Sequence, residues 1–167
     1  HSVSNPTGYF ECPPWDESVE NNCDEIDSTL WSSYREQTLL KNAIEFIENE
    51  VPNTLNVDAD EDGYVDNVTF LVNGSPDGWA ELLWPHRSSL GLYDVYINDA
   101  IVDGYNLNLA SGGYFNTSVV CHEFGHSLGA PDLYRYFTTN ITPIGSWDLM
   151  AYNASTPQYW SAWMQYR

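Results

Sequence analysis

Basic residues are scarce in this chain. Five Lys and Arg stand against 24 Asp and Glu among 167 residues, a formal net charge of −19. Such a surface repels phosphate backbones and anionic lipid headgroups, so nucleic acid and membrane-surface partners are disfavoured and cations are favoured. The same acidity also keeps an exported protein soluble. Apolar runs are short, and none approaches the ~20 residues that a membrane-spanning helix needs. The first residues lack the charged-then-apolar pattern of an export signal, so any such signal has been removed or lies outside this chain. Cysteines number three. Cys12 and Cys23 bracket a turn-rich acidic stretch and suit a local disulfide in an oxidising compartment. Cys121 precedes His122 on a predicted helix and reads as a buried free thiol. Two further absences matter below: no Glu follows Glu123 and no His follows His126.

What is present excludes disorder. A hydrophobic share of 43% and an aromatic share of 15% are enough for one compact domain with a real core. The first 30 residues read as irregular. Ser33 and Glu36 fit a capping box, with Leu40, Ala43, Ile44 and Ile47 at helical spacing until Pro52. An acidic loop from Asp58 to Asp66 leads into a predicted strand at Val68–Val72, and residues 75–92 read as loop with some strand. Tyr93–Asn98 and Ala100–Leu107 read as two strands about a turn at Asn98-Asp99, and Ser111-Gly112-Gly113 as another turn. A helix is predicted from about Thr117 to Leu128, capped by Thr117 or Ser118 and ended by Gly129. Tyr159–Tyr166 can start a final helix. The whole predicts an α+β fold: a mixed twisted sheet, a backing helix, a second helix carrying the site, and a loop-rich C-terminal part, as one domain over 1–167.

His122-Glu123-Phe124-Gly125-His126 places two imidazoles at i, i+4 spacing on one helical face, where both can reach one ion while Glu123 projects beside them. A pair of ordinary helix histidines is the bland alternative. A catalytic zinc needs a third protein ligand and an open position. The downstream carboxylates are Asp132 and Asp148 alone. Gly129, midway between His126 and Asp132, can adopt positive φ and turn the chain back, so Asp132 is the expected third ligand and Asp148 a turn-stabilising side chain. With zinc acidifying a water molecule, Glu123 becomes the general base, and the expected reaction is peptide hydrolysis. His86, in Trp84-Pro85-His86-Arg87, reads as a structural histidine rather than a ligand.

The stretch from Cys121 to Tyr134 resembles the active-site helix of the immune inhibitor A family of secreted zinc metallopeptidases, relatives of the metzincins. Trp147-Asp148-Leu149-Met150-Ala151-Tyr152 resembles the metzincin Met-turn, and the likeness takes in Trp84–Arg87 and the acidic loop, running from about Tyr34 to the end. Metzincins normally carry a His where this chain has Asp132. The resemblance implies that Met150 forms an apolar floor beneath the zinc. It also makes Tyr152 a candidate catalytic residue contacting the metal or the oxyanion, beside the plain reading of a buried tyrosine. It implies protein or peptide substrates outside the cell. Further strand and helix before the matched part are implied as well, so the chain reads as a fragment or processed piece of a larger precursor.

In the acidic loop, Asp58, Asp60, Asp62 and Asp66 present oxygens at near-alternate positions around Gly63, the first half of an EF-hand-like calcium loop, with Tyr64 offering its backbone carbonyl. Thr69 stands where a full EF-hand has its Glu. Four carboxylates this close repel one another without a cation; a solvated acidic turn is the simpler alternative. The combined expectation is a secreted endopeptidase with catalytic zinc and structural calcium. Its competitor is a catalytically silent, calcium-stabilised binding domain on a peptidase scaffold.

Overall fold

The computed structural model describes residues 28–73, 84–110, 113, 115–136, 143–154, 156 and 158–166. The expected Cys12–Cys23 bond and the irregular first segment lie outside the described residues. Those that are described form an α+β arrangement of two compact units.

The first unit comprises, among these residues, 28–68, 84 and 89–104. Helix α1 spans Ser28–Ile47 and leaves through a 3-10 turn at Glu48–Glu50. It therefore begins ahead of the expected cap: Ser33 lies inside the helix and Glu36 is buried along its length. Local cap chemistry yields there to burial of one helical stripe, in which Leu40 and Ile44 are fully enclosed. Thr38 Oγ1 lies 2.9 Å from the Tyr93 hydroxyl, and Gln37 Oε1 accepts from Leu92 N–H at 2.9 Å. These contacts tie α1 to the segment leading into an antiparallel hairpin.

In that hairpin β3, Tyr96–Ile97, pairs with β4, Ala100–Ile101, in the register Tyr96↔Ile101 and Ile97↔Ala100. Asn98 and Asp99 both take positive φ, 48° and 70°, the signature of a type I′ turn, and the expected turn stands. The strands about it are shorter than expected. The Ala100–Leu107 run breaks at Val102-Asp103, where the Asp103 carbonyl accepts from Leu90 N–H at 2.8 Å. The chain then starts a new strand in another sheet.

The second unit comprises 69–73, 85–88 and the described residues from 105 onward. Three strands, β1 (Val68–Val72), β2 (His86–Ser89) and β5 (Gly104–Leu109), lie in the order β1-β5-β2. As the central strand, β5 is buried on both faces from Tyr105 to Leu109. Its alternation of Asn with Tyr and Leu thus separates two buried faces rather than core from solvent. The polar face is satisfied in part by a side-chain bond at 3.2 Å from Asn106 Nδ2 to Ser127 Oγ, on helix α2 (Thr117–Ser127).

The cap of α2 is Asn116, whose Oδ1 accepts from Val119 N–H at 3.1 Å. The expected caps Thr117 and Ser118 fall inside the helix. Ser118 is fully buried, and its hydroxyl donates to the Ala154 carbonyl instead. Cys121 is free as expected but exposed, because the buried stripe of α2 runs through His122, Glu123 and Gly125. The final helix, α3, is shorter than expected and spans Ala162–Tyr166.

Ala130, Met150 and Met164 form a small buried cluster, with Leu133 and Trp160 packed against it. Gly125 is where α2 meets this cluster. A Cβ there would lie 2.8 Å from Met150 Sδ and 3.2 Å from Trp160 Cζ2. Gly125→Ala should therefore lower stability by about 1–3 kcal/mol despite the better helix propensity of Ala. Chemical denaturation reads this directly, and a stabilised variant would show that Met150 does not press on the helix.

Candidate metal centre

Helix α2 ends in a Schellman turn. Gly129 takes φ +85°, Ala130 N–H bonds back to the Gly125 carbonyl at 3.0 Å, and Gly129 N–H bonds to the His126 carbonyl at 3.0 Å. The reversal carries Asp132 back over the helix face that bears the two histidines. Asp132 Oδ1 lies 3.1 Å from His122 Nε2 and 3.3 Å from His126 Nε2. His122, His126 and Asp132 thus offer one atom each within a sphere able to hold an ion.

The orientation of each ring is set from behind. His122 Nδ1 lies 2.9 Å from the Leu149 carbonyl and His126 Nδ1 lies 2.7 Å from the Ala130 carbonyl. A carbonyl oxygen only accepts, so both Nδ1 atoms carry a proton and both Nε2 atoms face Asp132, each able to offer a lone pair to an ion once deprotonated. Asp132 Oδ1 is itself buried and receives no hydrogen bond. Two nitrogen lone pairs and a buried, unpartnered carboxylate oxygen converging at this distance suit a cation. A nitrogen–nitrogen–oxygen donor set fits a catalytic divalent zinc site.

Burial opposes charge on His122, but Asp132, the Leu149 carbonyl and Glu123 outweigh it and raise its pKa. At His126 Asp132 is the main cause of an upward shift, partly opposed by burial. Burial works against ionised Asp132, yet contacts from His122, His126 and Tyr136 hold it well below the ordinary carboxylate range. Glu123, only 5% exposed, is pushed up by burial, with the nearby histidines, His86 among them, pulling the other way.

Around this centre the expected residues divide. Met150 is fully buried beneath Gly125, as an apolar floor requires. Asp148, also fully buried, is a turn stabiliser as expected: Oδ1 accepts from Met150 N–H at 2.7 Å and Oδ2 from Ser161 N–H at 2.5 Å. Tyr152 is 58% exposed, so it is not the buried core tyrosine of the simpler expectation. His86 sits edge-on to Tyr105 at 5.9 Å between ring centres. Tyr134 and Tyr136 had no assigned role from sequence. Tyr134 stacks on His122 with centroids 6.3 Å apart, and the Tyr136 hydroxyl donates to Asp132 Oδ2. The available signal was their position, Tyr-Arg-Tyr directly after Asp132-Leu133.

The acidic loop belongs to the first unit. Asp58, Asp60 and Asp66 bring carboxylate oxygens within 4.8 Å of one another. Glu61 at φ 61° and Gly63 at φ 88° supply the tight turn. Asp58 accepts from Asp62 N–H at 3.0 Å and Gly63 N–H at 2.9 Å, and Asp66 Oδ2 from Ala59 N–H at 3.2 Å. Asp62 is not in the converging group; its Oδ1 accepts from Tyr64 N–H at 2.8 Å.

Residues 58–160, more than half of the chain, match the profile of the immune inhibitor A peptidase M6 catalytic domain. No curated protein matches the chain. The matched span contains the histidine helix, Asp132, the Met150 turn and the acidic loop.

Proposed function

From the premise that the chain belongs to the immune inhibitor A peptidase family, we propose that it is a zinc-dependent endopeptidase, a single catalytic domain acting on proteins or peptides outside the cell. The observation that carries this reading is the convergence of His122 Nε2, His126 Nε2 and the unpartnered Asp132 Oδ1. These three residues would hold the zinc. The ion would supply Lewis acidity, bringing water toward ionisation near neutral pH and polarising the scissile carbonyl.

The remaining work falls to side chains. Burial makes the Glu123 carboxyl more basic than an exposed glutamate, which suits it to take a proton from the attacking water and return it to the leaving amine. The Leu149 and Ala130 carbonyls keep both imidazoles turned inward. Met150 shields the underside from solvent. Tyr152, exposed next but one after Met150, is proposed to meet the oxyanion of the substrate.

In the same reading Asp58, Asp60 and Asp66, joined by the Tyr64 carbonyl, hold a structural calcium, while Asp62 supports the turn by accepting from Tyr64 N–H. Secretion accords with the net charge of −19, which suits calcium-containing surroundings.

Metal removal tests both ions. A zinc-selective chelator should abolish hydrolysis of an unstructured protein substrate, and added zinc should restore it. Removing calcium alone should lower the melting temperature by several degrees while zinc stays bound. Protein that binds zinc stoichiometrically yet cleaves nothing would favour the silent-domain alternative. Protein that binds no zinc would sink the reading outright, and an unchanged melting temperature would remove the calcium assignment.

A further inference from the structure

Asp132 has two oxygens in different surroundings. Oδ1 is buried, faces both histidine nitrogens and receives no hydrogen bond, whereas Oδ2 accepts from the Tyr136 hydroxyl. The Tyr136 ring is held by an edge-on contact with Tyr134 at 5.2 Å and 62°, and Tyr134 in turn lies nearly parallel to His122 at 22°. The ring itself is 68% exposed, so the phenol serves the core little; its hydroxyl is the part with a specific partner.

Resting on the zinc reading above, we propose that Tyr136 is a positioning residue that keeps Asp132 a one-oxygen ligand, occupying Oδ2 so that only Oδ1 is offered to the metal. A carboxylate can bind through one oxygen or chelate through both, and chelation fills the position that a hydrolytic site must keep open for water and substrate. A histidine in place of Asp132 has no second donor atom to swing onto the ion. An aspartate does, and a donor fixed on its outer oxygen supplies the missing restraint. The Tyr134 stack carries this restraint across to His122, so that two of the three ligands are braced by one aromatic pair.

The test uses the full chain and its Tyr136→Phe variant, with Zn²⁺ affinity measured by competition against a chromophoric chelator and visible spectra recorded after Co²⁺ substitution. The expected result is about tenfold weaker Zn²⁺ binding. The Co²⁺ bands should also weaken as the freed oxygen joins the ion and raises its coordination number. Hydrolysis should fall in kcat more than it changes KM. Affinity within twofold of the parent together with unchanged Co²⁺ bands overturns the proposal. A variant that no longer melts cooperatively overturns it too, because the hydroxyl would then hold the fold together rather than position a metal ligand. If the parent chain itself binds neither ion, the zinc reading fails first and this proposal with it.

Discussion

Glu123→Gln is expected to leave zinc content intact while lowering kcat for peptide hydrolysis by about 10²–10⁴-fold, the range contributed by a positioned general base. Glutamine keeps the volume of a side chain that is only 5% exposed, so packing on α2 should be nearly unaltered. It also removes a buried carboxyl whose ionisation burial disfavours, so the variant should fold at least as well as the parent. What it cannot do is take a proton from water. Metal analysis and steady-state kinetics on one preparation separate the cases. A fall in kcat with KM held shows loss of a transition-state interaction, whereas a rise in KM alone assigns Glu123 to substrate binding. Retention of more than a tenth of parental kcat would falsify its role as the base.

Asp148→Ala is expected to be the most damaging single substitution for stability, at about 3–5 kcal/mol. The carboxyl group is fully buried and accepts from two backbone donors, Met150 N–H and Ser161 N–H. Each donor left without an acceptor costs about 1–3 kcal/mol, and the cavity adds to that. Against a typical total of roughly 5–15 kcal/mol the variant should be close to its unfolding threshold at room temperature. Leu149 lies between Asp148 and Met150 and supplies the carbonyl behind His122, so zinc affinity should fall in parallel. Denaturant unfolding of metal-free and zinc-loaded protein reads both effects. Asp148→Asn, which keeps one acceptor, should fall between. A loss below about 1 kcal/mol for the alanine variant would mean that water replaces the carboxyl group and the turn is not pinned from within.

The centre was legible because its chemistry is compressed into a short stretch. The convergence of His122, His126 and Asp132 about the Gly129 turn follows from helical spacing, one glycine and the lack of any later His or Glu. The Asn98-Asp99 turn was legible for a similar reason, since both residues tolerate positive φ. The start of α1 was not, because Ser33 and Glu36 imitate a cap while burial of Leu40 and Ile44 favours a longer helix. Nor was the fate of Cys121 legible: one residue's rotation on a helix separates it from the buried His122. Strand ends failed where hydrogen bonds to distant residues decide them, as Leu90 does at Asp103. Tyr136 was not legible because a phenol four places beyond Asp132 has no spacing rule behind it.

The helix end at Gly129 also governs how the centre assembles along the chain. His126 takes its orienting carbonyl from Ala130 and its carboxylate neighbour from Asp132, so that half closes over very short loops and costs little chain entropy. His122 takes its carbonyl from Leu149, across a separation of 27 residues. That half exists only once a remote segment has docked, at the larger loop-closure cost that such a separation carries. On the proposed zinc reading, affinity for the ion therefore gauges the docking of the Met150 turn as well as the presence of the histidine helix.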